Sequence, residues 1–233
     1  MFLRAILLSL LLPLAARLCA QPGSTKVLLH KDRVAAAFDT VDCVKNVLKL
    51  NPLLFFRGEI PLYYERALTS RLSLEAGIGV TLRNYMGMTV VGDDVDDFGA
   101  GIDILARPSF RIGARWYHTV DLEPQGWYTQ LEFAHLTYAK DVRMKGPNGV
   151  FTDKELRDER IYNDFRLLGG YQMLGASNNW MFDLYGGIGY RARHVMIVHE
   201  TRDLTTDNYT YEVVEKDDPV LALFLGVKVG LGF

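Results

Sequence analysis

Side chains along most of this chain alternate between apolar residues and charged or small residues, with a period of two. In residues 72–83, every even position is apolar, whereas the odd positions hold Ser, Glu, Gly, Thr or Arg. Successive side chains of a β-strand point to opposite faces of the sheet, so this segment predicts a strand with two different environments. Residues 104–116 and 221–233 alternate in the same way. This pattern limits the possible folds more strongly than any other feature of the sequence.

Weaker alternation in five further segments brings the predicted number of strands to about eight. These segments are residues 47–56, 59–65, 127–140, 164–172 and 182–193. In 127–140, His135 interrupts an otherwise apolar face. Because proline cannot donate to a strand ladder, we expect a bulge or a strand end near each of Pro52, Pro61 and Pro108.

The charged faces favour a membrane barrel over a water-soluble sandwich, whose inner faces would be apolar and dry. Strands in lipid cannot leave an edge unpaired, so the set must close on itself. We therefore predict an all-β fold over residues 47–233, a closed antiparallel up-and-down transmembrane β-barrel of about eight strands. A register slip of one residue would turn Arg107, Arg111 and Arg115 into lipid, at roughly 2–4 kcal/mol each near the midplane.

The first twenty residues have the features of a cleaved signal peptide. Arg4 precedes an apolar run over residues 5–16, and Leu18-Cys19-Ala20 offers a small-residue cleavage pattern. Lipidation at Cys19 is the alternative. We expect residues 1–20 to be removed and residues 21–46 to form a periplasmic leader.

Two stretches carry resemblances to known proteins. The closing segment 222–233, which ends in the aromatic Phe233, resembles the terminal signal by which the barrel insertion machinery recognises its substrates. Residues 45–53 running into 64–68, together with 183–191, resemble small eight-stranded outer-membrane proteins of the Bacteroidota. The resemblance covers residues 45–233 and implies a barrel fold and an outer-membrane location. That family has no established activity, so it assigns no functional residues.

Charged side chains on the faces opposite the apolar ones are the first candidate site. An eight-stranded barrel is just wide enough for side chains to fill it, so these charges predict a network of ion pairs in the lumen. The basic excess over 104–116 also fits a narrow path for anions or small solutes. The predicted network consists of Lys49, Glu65, Glu75, Arg83, Arg107, Arg111, Arg115, Glu132, Asp164, Arg166, Asp183, Arg191, Arg193 and Lys228.

Two further sites carry weaker signals. Asp93, Asp94, Asp96 and Asp97 cluster carboxylates suited to a hard cation, although they lack the spacing of a calcium loop. A lipid-modifying enzyme would need a His paired with Ser or an acid near the membrane surface. His194, His199 and Glu200 stand where the seventh predicted strand leaves for its loop, but without a nearby Ser.

The expected function is therefore a structural or interaction barrel of a Gram-negative outer membrane, with no catalytic residues and no cofactor or metal. Its predicted partners are outer-membrane lipid, the insertion machinery and another envelope protein that binds the outer loops or the leader. A formal net charge of −2 argues against a nucleic-acid partner. The long charged connectors, residues 86–101, 144–160 and 201–219, are predicted to be extracellular loops, and both chain ends would be periplasmic. An anion passage and a lipid-modifying enzyme are the alternatives.

Overall fold

The structure is a computed structural model that describes residues 29–38, 40–85, 96, 99–146, 149–175, 179–203, 205 and 208–233. Residues Val34–Phe233 belong to one compact unit. The predicted signal peptide and its lipidation site lie outside the described residues, as do Asp93, Asp94 and Asp97.

Strands dominate the described residues. One short helix, α1 (His30–Ala37), precedes them, and a 3-10 helix (Pro52–Arg57) follows the first strand. No helix in the described ranges is long and apolar enough to cross a membrane. The strands are β1 (Asn46–Leu50), β2 (Glu59–Ala67), β3 (Leu72–Thr81), β4 (Ile102–Leu105), β5 (Arg107–Tyr117), β6 (Gly126–Lys145), β7 (Phe151–Leu174), β8 (Trp180–Asp203) and β9 (Asn208–Gly232).

All nine strands belong to one antiparallel sheet whose pairings form a ring. Its order is β1-β2-β3-β5-β6-β7-β8-β9, and β9 pairs again with β1. The ninth strand, β4, pairs with β6 beyond the end of β5, so β4 and β5 occupy one place in the ring. The prediction of an all-β, antiparallel fold is confirmed, and the extra strand results from a break at Ala106.

The three prolines behave differently. Pro52 opens the 3-10 helix, and Pro108 lies beside the break between β4 and β5. Pro61 lies two residues after the start of β2 at Glu59, in an unbroken register opposite Gly79, so a strand end is near it as expected. A Cβ at Gly79 would lie 2.8 Å from the Cα of Pro61, so the glycine makes room for the proline.

We call the end of the ring that holds Asn46 and Phe233 the base, and the opposite end the mouth. At the mouth, the predicted connectors 144–160 and 201–219 are mostly strand. β8 and β9 pair without interruption from Trp180↔Leu231 to Asp203↔Asn208. Paired strands satisfy each other's backbone groups even where both faces are charged, so the hairpin continues beyond the apolar part of the ring.

The leader contacts the base of the ring. Val44 packs against Val47 and Met181, and all three side chains are buried. The thiol of Cys43 donates a hydrogen bond to the carbonyl oxygen of Leu122 at 3.3 Å. Burial raises the pKa of this thiol, which keeps it protonated at neutral pH. Apolar side chains therefore pack together at the end of the ring where the chain enters it.

Candidate functional site

The ring has its apolar side chains outside and its charged side chains inside. The exposed fractions of Leu225, Leu221 and Ile78 are 82%, 72% and 69%, whereas Arg115 and Arg191 are fully buried. Water-soluble proteins show the opposite distribution, because burying a charge costs far more than exposing an apolar side chain. The outer wall is therefore suited to an apolar surrounding.

Aromatic side chains mark both limits of this apolar wall. Trp116, Trp127 and Trp180 are exposed near the base, and Phe110 and Tyr190 are exposed near the mouth. Trp180 and Tyr190 lie ten residues apart on the outer face of β8. At a rise of about 3.3 Å per residue and a tilt of about 40°, they are separated by about 25 Å along the ring axis. This height matches the apolar band of outer-membrane barrels.

Three cations and three carboxylates form the lower cluster inside the ring, which consists of Lys49, Arg115, Lys228, Glu65, Glu75 and Asp183. Arg115 is 2.7 Å from Glu75 and 2.9 Å from Asp183. Lys49 binds Glu65, and Lys228 binds Glu75. All six side chains are buried, and their formal charges sum to zero.

Contacts of the lower cluster cross the interior. Arg115 on β5 reaches Asp183 on β8, three places away in the ring. Lys49 on β1 reaches the amide oxygen of Gln172 on β7 at 2.6 Å, again three places away. Because these atoms are within hydrogen-bond distance, side chains fill the cross-section at this level.

A second neutral group, the upper cluster, lies nearer the mouth and consists of Arg111, Arg166, Arg191, Glu59, Glu132 and Asp164. Asp164 accepts from Arg166 at 2.6 Å and from Arg191 at 2.7 Å. Arg166 also donates to Glu132 at 2.8 Å, and Arg111 binds Glu59. Three cations again face three buried carboxylates, so each charge has an opposite charge beside it.

Aromatic rings separate the two clusters and contact cations of both. The Lys228 ammonium lies 4.1 Å from the ring centre of Tyr63, and the Arg111 guanidinium lies 5.6 Å from the same centre. Arg166 lies 4.2 Å from the ring centre of Phe224. Cation–π contacts of this kind gain strength away from water, so they favour one arrangement of the interior.

Near the mouth, Asp96 faces cations of the chain itself. It is buried, binds Arg160, and accepts a hydrogen bond from the backbone nitrogen of Asn84 at 2.8 Å. Lys140 is 4.0 Å away. Asp96 was expected among the carboxylates of a cation loop, but its oxygens are already engaged by Arg160 and a backbone donor. This placement argues against a metal ligand at that position.

The structure separates the predicted lumen charges into two groups. Eleven of the fourteen are buried members of the lower and upper clusters, whereas Arg83, Arg107 and Arg193 are only half-buried and lie nearer the mouth. Sequence reasoning omitted Gln130 and Gln172 from the network. Both amides bind Arg115, at 2.7 and 2.6 Å. The alternation alone placed them on the inner face and could have included them.

The histidines expected in an enzyme lie on the β8–β9 hairpin. His194 donates from Nδ1 to the carboxylate of Asp217 at 2.7 Å, and its Nε2 lies 3.6 Å from Glu215. One ligand atom from each of these three residues could hold a metal ion, although the group is largely exposed. The hydrogen bond to Asp217 raises the pKa of His194, so a proton competes for this position. Glu200 instead binds Lys145 at 2.8 Å.

Comparison with protein-family models, curated proteins and solved structures gives no match to this chain.

Proposed function

We propose that the ring is a transmembrane β-barrel of a bacterial outer membrane and that it has a structural or interaction role. The distribution of side chains across the ring carries this proposal. Exposed leucines such as Leu225 lie outside, and fully buried charges such as Arg115 lie inside. A bilayer supplies the apolar surrounding that water cannot, and a closed sheet leaves no unpaired edge in lipid. The aromatic belts and the band height of about 25 Å support the same conclusion.

The filled interior favours a structural role over a passage for anions or small solutes. The basic excess over residues 104–116 suggested an anion path, but Arg111 faces Glu59 and Arg115 faces three carboxylates. An ion crossing at the lower cluster would have to displace buried pairs that are less than 3.5 Å apart. The hairpins beyond the mouth and the leader at the base remain the proposed surfaces for another envelope protein. The mouth would face outward and the base the periplasm.

Two measurements test this proposal. The protein expressed with its native signal peptide should sediment with outer membranes and migrate faster on a gel before boiling than after it, as folded barrels do. Purified protein in planar bilayers should give no steady conductance. Recovery of folded protein from the periplasm without detergent would refute the membrane assignment. A stable anion-selective current would instead favour the passage.

A further inference from the structure

A histidine on the outer wall has hydrogen-bonding partners on both sides. His135 lies on β6 directly opposite Asn163 of β7. Its Nδ1 is 2.8 Å from the amide oxygen of Asn163, and its Nε2 is 3.5 Å from the hydroxyl of Thr137. Thr137 follows His135 by two residues, so both side chains leave the same face of β6. Polar side chains are unfavourable on an apolar wall, because lipid chains offer them no hydrogen bonds.

The hydrogen-bonding partners of His135 determine which of its ring nitrogens carries the proton. An amide oxygen only accepts, so the neutral imidazole carries its proton on Nδ1 and donates it to Asn163. Nε2 then holds a lone pair that faces the Thr137 hydroxyl. A hydroxyl, an imidazole and a group that orients the imidazole are the three parts of an activated nucleophile. A separation of 3.5 Å between nucleophile and base is typical of a site without substrate.

The group lies at the depth of lipid ester bonds. His135 is eight residues beyond Trp127 on the outer face of β6, which corresponds to about 20 Å along the ring axis. This height is near the upper limit of the apolar band. The ladder between β5 and β6 ends at Phe110↔His135, and pairing of β4 with β6 resumes at Leu105↔Ala139. Thr137 therefore faces a strand break, a feature that often re-aims side chains beside active sites.

An apolar groove of about 580 Å³ lies on the outer wall directly below this group. Phe133 and Phe165, which stand two residues below His135 and Asn163, form its upper end. The small side chain of Ala114 gives the groove its depth between larger neighbours. Its volume falls in the range of small-molecule sites and suits one acyl chain. The outward-facing lining residues are Leu74, Ile112, Ala114, Leu131, Phe133, Phe165 and Leu167.

On the other side, Asn163 borders a smaller cavity of about 230 Å³ with a mixed lining. Asp217 and Asp218 contribute carboxylates to this cavity, and His194 and Arg193 complete its charged rim. Glu215 lies beside it, 3.6 Å from His194. These carboxylates already have cationic partners, since Asp217 binds His194 and Asp218 binds both Arg193 at 2.6 Å and Lys216 at 3.0 Å, so the cavity favours neither charge of a lipid head group.

We propose that Thr137, His135 and Asn163 form a hydrolytic site for the acyl ester of a membrane phospholipid, with the groove holding the acyl chain. Thr137 Oγ attacks the ester carbonyl carbon while His135 Nε2 takes its proton. The tetrahedral intermediate collapses, the ester C–O bond breaks, and His135 returns the proton to the departing lyso-lipid alcohol. Water then attacks the acyl-threonine through the same base, which releases the fatty acid and restores the Thr137 hydroxyl. Asn163 is a positioning residue.

The test uses full-length mature protein refolded in detergent and supplied with phosphatidylethanolamine, with fatty-acid release measured by mass spectrometry. Thr137→Val and His135→Ala should each lower release at least about 100-fold, the usual contribution of a general base. Thr137→Ser should retain activity, and Asn163→Leu should lower kcat with little change in KM. The matched control is His118→Ala, since His118 also lies 3.0 Å from a threonine hydroxyl, that of Thr129, but near the base.

A long-chain fluorophosphonate provides a readout that does not depend on turnover. It should add to Thr137 in the wild type and to Ser in Thr137→Ser, and it should leave the His135→Ala variant unlabelled. Heat-modifiable migration identifies variants that fold. Folded wild type and Thr137→Ser that release no fatty acid and resist labelling would overturn the site while leaving the proposed barrel intact. Release from lipid A alone would overturn the assigned substrate.

Discussion

Replacing Arg115 by Met tests whether the interior is held together by ion pairs. The guanidinium lies within 3.3 Å of Glu65, Glu75 and Asp183, and two glutamine amides complete its contacts. Met retains much of the volume but removes the charge, so the lower cluster changes from three cations and three carboxylates to two and three. Loss of one partner from a buried ion pair typically costs about 3–5 kcal/mol. We expect a decrease of that size in the free energy of unfolding.

A compensating change separates charge from packing. Adding Asp183→Asn to Arg115→Met restores equal numbers of cations and carboxylates, and the new amide oxygen can still accept from the Tyr128 hydroxyl, which is 2.6 Å from Asp183. The double variant should therefore be more stable than Arg115→Met alone, because neighbouring substitutions are not additive. Urea unfolding of protein in lipid vesicles, followed by tryptophan fluorescence and by gel migration, measures both differences.

The matched control is Arg157→Met, which removes an equally close but exposed pair with Asp141 at 2.9 Å. Solvent screens this pair, so its loss should leave the unfolding curve unchanged. The reasoning fails if Arg115→Met is as stable as the wild type. It also fails if the double variant is less stable than the single one, since packing would then outweigh charge.

Three further predictions concern the wall, the mouth and the outer hairpin. Ile112→Arg should destabilise the folded protein in vesicles by roughly 2–4 kcal/mol. Val213→Arg should not, because Val213 is similarly exposed but lies beyond the apolar band. Equal effects of the two substitutions would contradict the proposed membrane depth. Gly58→Ala should lower the free energy of unfolding by about 1–2 kcal/mol, because Gly58 has a φ of +66° and faces the backbone carbonyl of Arg83. An unchanged urea midpoint would refute this prediction. Asp217→Asn should lower the pKa of His194 in an NMR titration. The stability that comes from this raised pKa is present at low pH and is lost as the pH rises through the folded pKa, so an unaltered titration would refute the assigned hydrogen bond.

Alternation along the chain was enough to place most side chains on the correct face. Arg115 and Leu225 illustrate this, since one is fully buried and the other is 82% exposed, as the period of two requires. The same pattern gave a wrong prediction for the charged connectors at the mouth. They were expected to be loops because neither of their faces is apolar. β8 and β9 continue to Asp203 and Asn208 through backbone pairing alone.

In the sequence, His135 is visible only as a polar residue that interrupts an apolar face. Its partner Asn163 lies 28 residues away, on the next strand, and the register of β6 on β7 sets them opposite each other. A polar residue that interrupts a lipid-facing pattern is the signal that could have identified the group. The partner could not be found without the register.

Local patterning alone identifies the strands and the two faces of the wall, because the direction of a side chain in a strand depends only on local backbone geometry. The tertiary fold sets which charges meet, since Lys49, Arg115 and Lys228 come from three strands that pairing and closure of the ring bring within 4 Å of Glu75. It likewise decided that each cluster is neutral and that the cross-section is filled. Coulomb energy depends on distances between residues far apart in the chain, and those distances are set by strand pairing and ring closure rather than by any local pattern.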